Sequence, residues 1–391
     1  MRKGGGLSSR SANLNSRADN VSERINRLRA IGLGVALGLS ATAASAGDSR
    51  LLNACFSQGT LAGVPGEGIA AKGNHTFDAP IKLNGFTQAL PVPDELRGAI
   101  RRVTLPPGEK KIALTFDLCE QRGEIAGYDG RIFDYLRQQG VKATFFAGGK
   151  WMVSHPARIQ QLMADPLFEI GNHTETHANL RLLQPAAVQQ QVLAPQKAYE
   201  DARAQLSSQQ CVAEIPDAMG SIPEQPKLFR FPYGACNDAS MKAVNDAGML
   251  AIQWDVATGD PDPHTSAARI AQAMVSEAKP GSIIVNHANG RGWHTFEALM
   301  IAIPKLKAKG YEFVTVSELL TMGKPVIAAE CYDRKPGDTN RYDSLNALQH
   351  PLNGSAKRNT KIALAPSSAP KPLSKSKTAK KASAKPVTTE H

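Results

Sequence analysis

Between about residue 110 and residue 322 short apolar runs alternate with longer amphipathic ones, and this alternation limits the fold more than any other property of the chain. Lys111–Phe116 reads as a buried strand, and Gly130–Gln139 as a helix closed by Gly140. Lys142–Ala147 is the next strand, Pro156–Met163 the next helix, and Pro185–Leu206 a long helix. Lys227–Phe231, Leu250–Trp254 and Ser282–Asn286 read as further strands, separated by helices near 239–247 and 265–278. Phe296–Lys309 reads as a helix ended by Gly310, before a strand at Tyr311–Thr315. Strands that alternate with helices of this length imply an α/β protein with a parallel sheet, open or closed into a barrel. In either form ligands gather at the carboxyl ends of the strands.

The formal charge of +11 suggests a polyanion binder until it is located. Residues 1–46 carry a net +5 and residues 356–391 a net +8, which leaves about −2 for the 309 residues between. A nucleic-acid enzyme concentrates positive charge on its fold, so nucleic acid is excluded as a partner. Arg24, Arg27 and Arg29 precede the apolar run Ala30–Leu39 and a small-residue stretch ending at Ala46, the pattern of a cleaved export signal. The run is too short to span a membrane comfortably, and no other segment approaches 18 apolar residues. The expected location is periplasmic or secreted, without a membrane span in the mature chain. Residues 47–109 are rich in Gly and Pro and read as an irregular extension laid against the barrel, with a shorter extension over 323–355. From about 356 to 391 Lys, Ala, Ser and Pro dominate, a composition that cannot bury enough surface to order itself. That disordered basic tail could tether the protein to anionic cell-envelope polymer.

All five cysteines lie beyond the cleavage point, so an oxidising compartment allows two disulfides and one free thiol. Cys211 with Cys236 is the preferred pair, and Cys55 with Cys331 would tie the two extensions together.

The polar residues of interest cluster after strands. Asp117 follows one; His173 and His177 follow the run ending at Ile170; Arg230 and Tyr233 close another. Trp254, Asp255 and Asp260 follow the next, and His287 the one after. His173 and His177 stand four apart, so in a helical turn both rings would face one metal ion. Amide hydrolysis needs such an ion to polarise a carbonyl and acidify water, a base for the water proton and an acid for the leaving amine.

In Lys142–Phe146, Gly171–His177, Phe229–Gly234 and Gly310–Ser317, taken in order and spacing, the chain resembles the polysaccharide deacetylase family built on the NodB-homology domain, over about residues 110–322. The resemblance implies a deformed (β/α) barrel that removes acetyl groups from N-acetylated glycans with a divalent metal, zinc by default. It further implies His173 and His177 as ligands, Asp117 as base held ionised by Arg230, and His287 as acid oriented by Asp260. Tyr233 would offer a backbone N–H to the oxyanion, and Trp254 either a sugar platform or a core aromatic.

One departure stands out. The family's first motif carries two adjacent aspartates, the second a metal ligand, whereas this chain reads Thr115-Phe-Asp117-Leu118-Cys119-Glu120. Glu120 is the tentative third ligand; water or another nearby group, and Cys119 as thiolate, are the alternatives. Asn289 stands where the family's His-Asp step would supply an acid, Glu175 is expected to face solvent or substrate, and His294 to cap a helix. The expected function is an exported N-acetylglucosaminyl polymer deacetylase. Its rivals are a metal-free carbohydrate-binding protein and an amidase on non-sugar C–N bonds.

Overall fold

The computed structural model describes residues 49–86 and 88–344. The export signal and the basic tail therefore lie outside the described residues. The strands are β1 (Ala99–Thr104), β2 (Lys111–Leu118), β3 (Ala143–Ala147), β4 (Phe168–Asn172), β5 (Leu228–Phe229), β6 (Leu250–Ile252), β7 (Val256–Ala257), β8 (Ile283–His287), β9 (Glu312–Phe313) and β10 (Lys324–Ala328). The principal helices are α1 (Gly130–Gln139), α2 (Gly149–Ser154), α3 (Pro156–Ala164), α4 (Pro185–Ser207), α5 (Asp238–Asp246), α6 (Ala267–Glu277), α7 (Thr295–Ala308) and α8 (Val316–Thr321).

The sheet runs β10-β1-β6-β5-β4-β3-β2-β8-β7, with β9 also on β2. β6 and β7 belong to one stretch, 250–257, yet β6 pairs with β5 and β7 with β8. The parallel strands thus come round on themselves through β2, β3, β4, β5, β6/β7 and β8, which is the deformed (β/α) barrel. Side-chain alternation separates two layers. Ile112, Leu114, Phe116 and Leu118 of β2 pack outward beneath the helices with Phe133, Phe145 and Trp151. Ala113, Phe146, Ile252, Trp254 and Val285 pack in a second, inner cluster. Each large apolar side chain so buried contributes roughly 1.5–3 kcal/mol before packing terms.

Two pieces of the expected extensions belong to this sheet. β1 lies parallel to β6, and β10 lies antiparallel to β1. The consecutive arginines in β1 hid the strand from a reading by apolar runs. Arg101 is nonetheless buried, its guanidinium 3.7 Å over the Tyr332 ring while it donates to the Tyr332 and Asp333 carbonyls. Gly281, φ +83°, passes β1 so closely that a Cβ there would sit 1.7 Å from the Val103 carbonyl oxygen.

The disulfide pairing differs from the one expected. Cys55 joins Cys211, and Cys236 joins Cys331, with Cα atoms 5.3 and 5.4 Å apart. Cys211 and Cys236 were favoured because they bracket one loop, but the fold spends each on a different long-range contact. The first bond fastens the N-terminal helix Arg50–Cys55 to the short helix Gln210–Ala213. The second fastens the C-terminal segment to the loop after Tyr233. Among the described residues no helix is long and apolar enough to cross a membrane.

These bonds close loops of 156 and 95 residues, for which chain entropy alone suggests about 4–5 kcal/mol each. Cys55→Ser with Cys211→Ser is expected to lower the urea midpoint while leaving KM unchanged. Cys236→Ser with Cys331→Ser is expected to lower the midpoint and also raise KM, because that bond anchors residues lining the catalytic cavity. Equal KM values for the two double variants would refute the second expectation.

Candidate active site and metal centre

The carboxyl ends of the parallel strands gather the expected residues. Asp117 on β2 and His287 on β8 are direct register partners. Both lie on a cavity of about 400 Å³ with Tyr233, Trp254 and Asp260. A larger cavity of about 750 Å³ shares Pro261 with it and carries Arg291 and the exposed Trp293, but holds none of the candidate catalytic residues.

Arg230 is fully buried and donates from Nη1 to Asp117 Oδ1 at 2.9 Å. Its other nitrogens reach the Ile252 and Gln253 carbonyls, and its plane lies 4.0 Å from the Phe146 ring centroid. Burial acts to raise the Asp117 pKa, but the neighbouring His173 imidazole and Arg230 guanidinium outweigh it and hold the carboxyl below its ordinary value. The same arginine also fixes a histidine: His173 Nδ1 lies 2.9 Å from the Arg230 carbonyl oxygen. A carbonyl only accepts, so the proton is on Nδ1 and Nε2 presents a lone pair. Nε2 is buried, makes no hydrogen bond and lies 3.5 Å from Asp117 Oδ2.

His177 joins it by a route other than the expected helical turn. β4 ends at Asn172, and the chain continues as a loop in which Thr174 and His177 take left-handed φ of 66° and 56°. With Tyr233 at φ 61°, these are the three non-glycine residues of positive φ among the described residues, and all three lie in the loops that build this site. Such conformations cost about 1–3 kcal/mol each and collect where geometry matters more than stability. The His177 ring packs edge-on to His173 and Tyr233 at 4.9 and 4.5 Å between centroids, and its Nδ1 is also buried and bare. Burial, then the neighbouring His173 ring, push the His177 pKa well below its ordinary value. A neutral imidazole with an unpaired buried nitrogen is a metal ligand in waiting.

His287 is arranged for the opposite task. Asp260, 1% exposed, accepts from the His287 backbone N–H at 2.7 Å, from Thr295 Oγ1 at 2.7 Å and from His287 Nδ1 at 3.0 Å. Burial alone would lower the His287 pKa, but the Asp260 charge and hydrogen bond raise it.

Two expectations need correction, and a third, left open between two readings, comes down on one of them. Glu120 does not join the histidines. It is buried, accepts from the Ala126 backbone N–H and Ser154 Oγ at 2.9 and 2.8 Å, and lies 3.6 Å from Lys150 Nζ. The residue grouped with His173 and His177 is Cys119: one ligand atom from each of the three lies within 4.8 Å of the others. Glu175, 4% exposed, faces neither solvent nor substrate but accepts from the Ile81 backbone N–H at 2.6 Å. Trp254 lines the cavity yet is only 6% exposed and donates Nε1 to Asp333 at 3.1 Å, so it forms a wall rather than an open platform.

The cavity also holds residues that sequence reasoning did not single out. Asp333, Arg334, Arg341 and Tyr342 come from the C-terminal segment. Gln121 donates to the Tyr233 hydroxyl at 3.2 Å. No sequence signal marked this segment; the bond of Cys331 to Cys236, seen only in the fold, holds it at the rim.

A family model described as polysaccharide deacetylase matches residues 104–252. The peptidoglycan-N-acetylglucosamine deacetylase of Bacillus cereus is 32% identical over 218 residues, covering 55% of this chain and 91% of that protein. A chitooligosaccharide deacetylase of Bradyrhizobium is 28% identical, covering 54% of this chain and 91% of that one. Among solved structures, a CE4 family pseudoenzyme from Bacillus anthracis is 27% identical, with a TM-score of 0.47 over 58% of this chain and 70% of that chain. The matched model ends before Asp260 and His287, which the barrel brings back beside Asp117. The chain belongs to the polysaccharide deacetylase family.

Proposed function

We propose that this protein is an exported, metal-dependent hydrolase that removes N-acetyl groups from N-acetylglucosamine-containing glycans. One observation carries the reading: two buried imidazole nitrogens lack partners beside an Asp117–Arg230 pair and a His287–Asp260 pair. A carbohydrate-binding protein has no use for an aspartate and a histidine tuned in opposite directions by separate partners, so the binding-module reading is less well supported. Relatives that act on peptidoglycan and chitooligosaccharide support the substrate class.

A divalent ion held by His173 and His177, zinc by its liking for neutral imidazole, would polarise the acetyl carbonyl and acidify water. The protein's own groups handle the protons. Asp117 Oδ1 is engaged by Arg230, so Oδ2 takes the proton of the attacking water. His287 keeps its Nδ1 proton toward Asp260, which leaves Nε2 to protonate the departing amine.

The raised His287 pKa sets the high-pH side of the activity profile, since activity falls once this acid loses its proton. Asp260→Asn removes the charge that favours the protonated form. It is expected to move the falling limb of kcat/KM to lower pH and to cut kcat, while Asp117→Asn retains metal and loses about 10²–10⁴ in kcat. An unmoved limb in Asp260→Asn would remove His287 from the acid role.

The purified full chain should release acetate from chitooligosaccharide or peptidoglycan and contain one divalent ion that His173→Ala removes. The basic segment 356–391 would serve to retain the enzyme on anionic envelope polymer, so a chain ending at Leu352 should keep its rate on soluble oligosaccharide but lose salt-sensitive retention on sacculi. Metal-free protein with no acetate release would return the chain to the binding-module reading, and equal retention would leave the tail without this role.

A further inference from the structure

We propose that Cys119, as thiolate, is the third protein ligand of the metal, in place of the carboxylate that Leu118 has displaced. The inference rests on the metal-dependent reading above and adds the identity of the ligand set. Leu118 is fully buried in the helix-facing layer with Phe116 and Leu114, where it has no access to the site. Cys119 follows on the side chain alternation of Asp117 and reaches the histidines. Glu120, the other candidate, lies outside that group: its Oε2 accepts from Ser154 and the Ala126 backbone N–H, and its Oε1 lies 3.6 Å from Lys150 Nζ.

The thiol is not alone there. His173, 1% exposed, directs the unpartnered Nε2 into the same space, and His177 adds a second bare nitrogen. Tetrahedral zinc with bonds of about 2.0–2.3 Å holds its ligand atoms roughly 3.3–3.7 Å apart. A group already within 4.8 Å needs only small side-chain adjustments to close on an ion of that size. Cys119 is 1% exposed and is the free cysteine among the described residues, so it is shielded from the oxidation that joins the other four. Asn289 donates Nδ2 to the Cys119 carbonyl and, at 3.1 Å, to Sγ. A donor aimed at sulfur orients the group, as outer partners of metal ligands do, and because burial pushes the free thiol up to about 11 it is a bound metal that would draw off its proton. On binding, the S–H bond breaks, a sulfur–metal bond forms and the proton leaves to solvent. One thiolate supplies the single negative charge that an aspartate would have supplied.

Cobalt(II) titrated into the full-length, metal-stripped protein tests this without reference to turnover. Wild type should show the visible bands of a low-symmetry cobalt site together with an intense near-ultraviolet thiolate-to-cobalt transition. Cys119→Ser should lose the near-ultraviolet band and bind at least about tenfold more weakly, and Cys119→Asp should restore affinity without that band. Asn289→Ala should keep the band and weaken binding by about 10- to 100-fold. Cobalt bound by wild type with visible bands but no thiolate transition would overturn the Cys119 assignment and leave the metal-dependent reading standing. No cobalt bound at all would overturn both. Circular dichroism of each variant separates lost ligation from lost fold.

Discussion

The buried pair of Arg230 and Asp117 is the interaction on which the rest of the site depends. Arg230 is wholly enclosed, and its charge is offset by one carboxylate oxygen at 2.9 Å and by two backbone carbonyls. Removing one partner of such a pair costs about 3–5 kcal/mol, because the other is left charged and unsolvated. The same residue's carbonyl accepts a hydrogen bond from the Nδ1–H of His173. One arginine therefore keeps the base ionised and fixes which nitrogen of a ligand is bare. Arg230 directly follows β5, so the end of that strand sets its guanidinium toward Asp117 and its carbonyl toward His173.

Around this pair the barrel shifts two groups in opposite directions. Asp117 is drawn below its ordinary pKa by its His173 and Arg230 neighbours, and His287 is raised above its own by Asp260. The two residues are register partners on adjacent strands, so neither depends on a loop for its placement. The histidine ligands do depend on a loop, and there the backbone takes the strained left-handed conformations at Thr174 and His177.

Most of this was legible in the sequence, for reasons that can be named. Strands buried on both faces and helices of ordinary length carry periodicity that survives without tertiary context, which is why α1 runs over the residues expected of it. The barrel form, and which residues its strand ends gather, came from motifs in order and spacing. What was hidden depended on long-range geometry. β1 was masked by two adjacent arginines, of which Arg101 is buried against the C-terminal segment. The disulfide partners could not be read from loop composition, because each cysteine pairs with one brought close only by the fold. Glu120 was favoured as a ligand on its chemistry, but Ser154 and the Ala126 backbone N–H already occupy it.

The loss of the second aspartate thus leaves a site whose neighbouring thiol stands ready beside two bare imidazoles. Zinc K-edge X-ray absorption on wild-type protein loaded with one equivalent of Zn²⁺ tests that account most directly. It predicts one sulfur at about 2.3 Å and two imidazole nitrogens at about 2.0–2.1 Å in the first coordination shell. A shell of nitrogen and oxygen alone, or one without imidazole scattering, would contradict it.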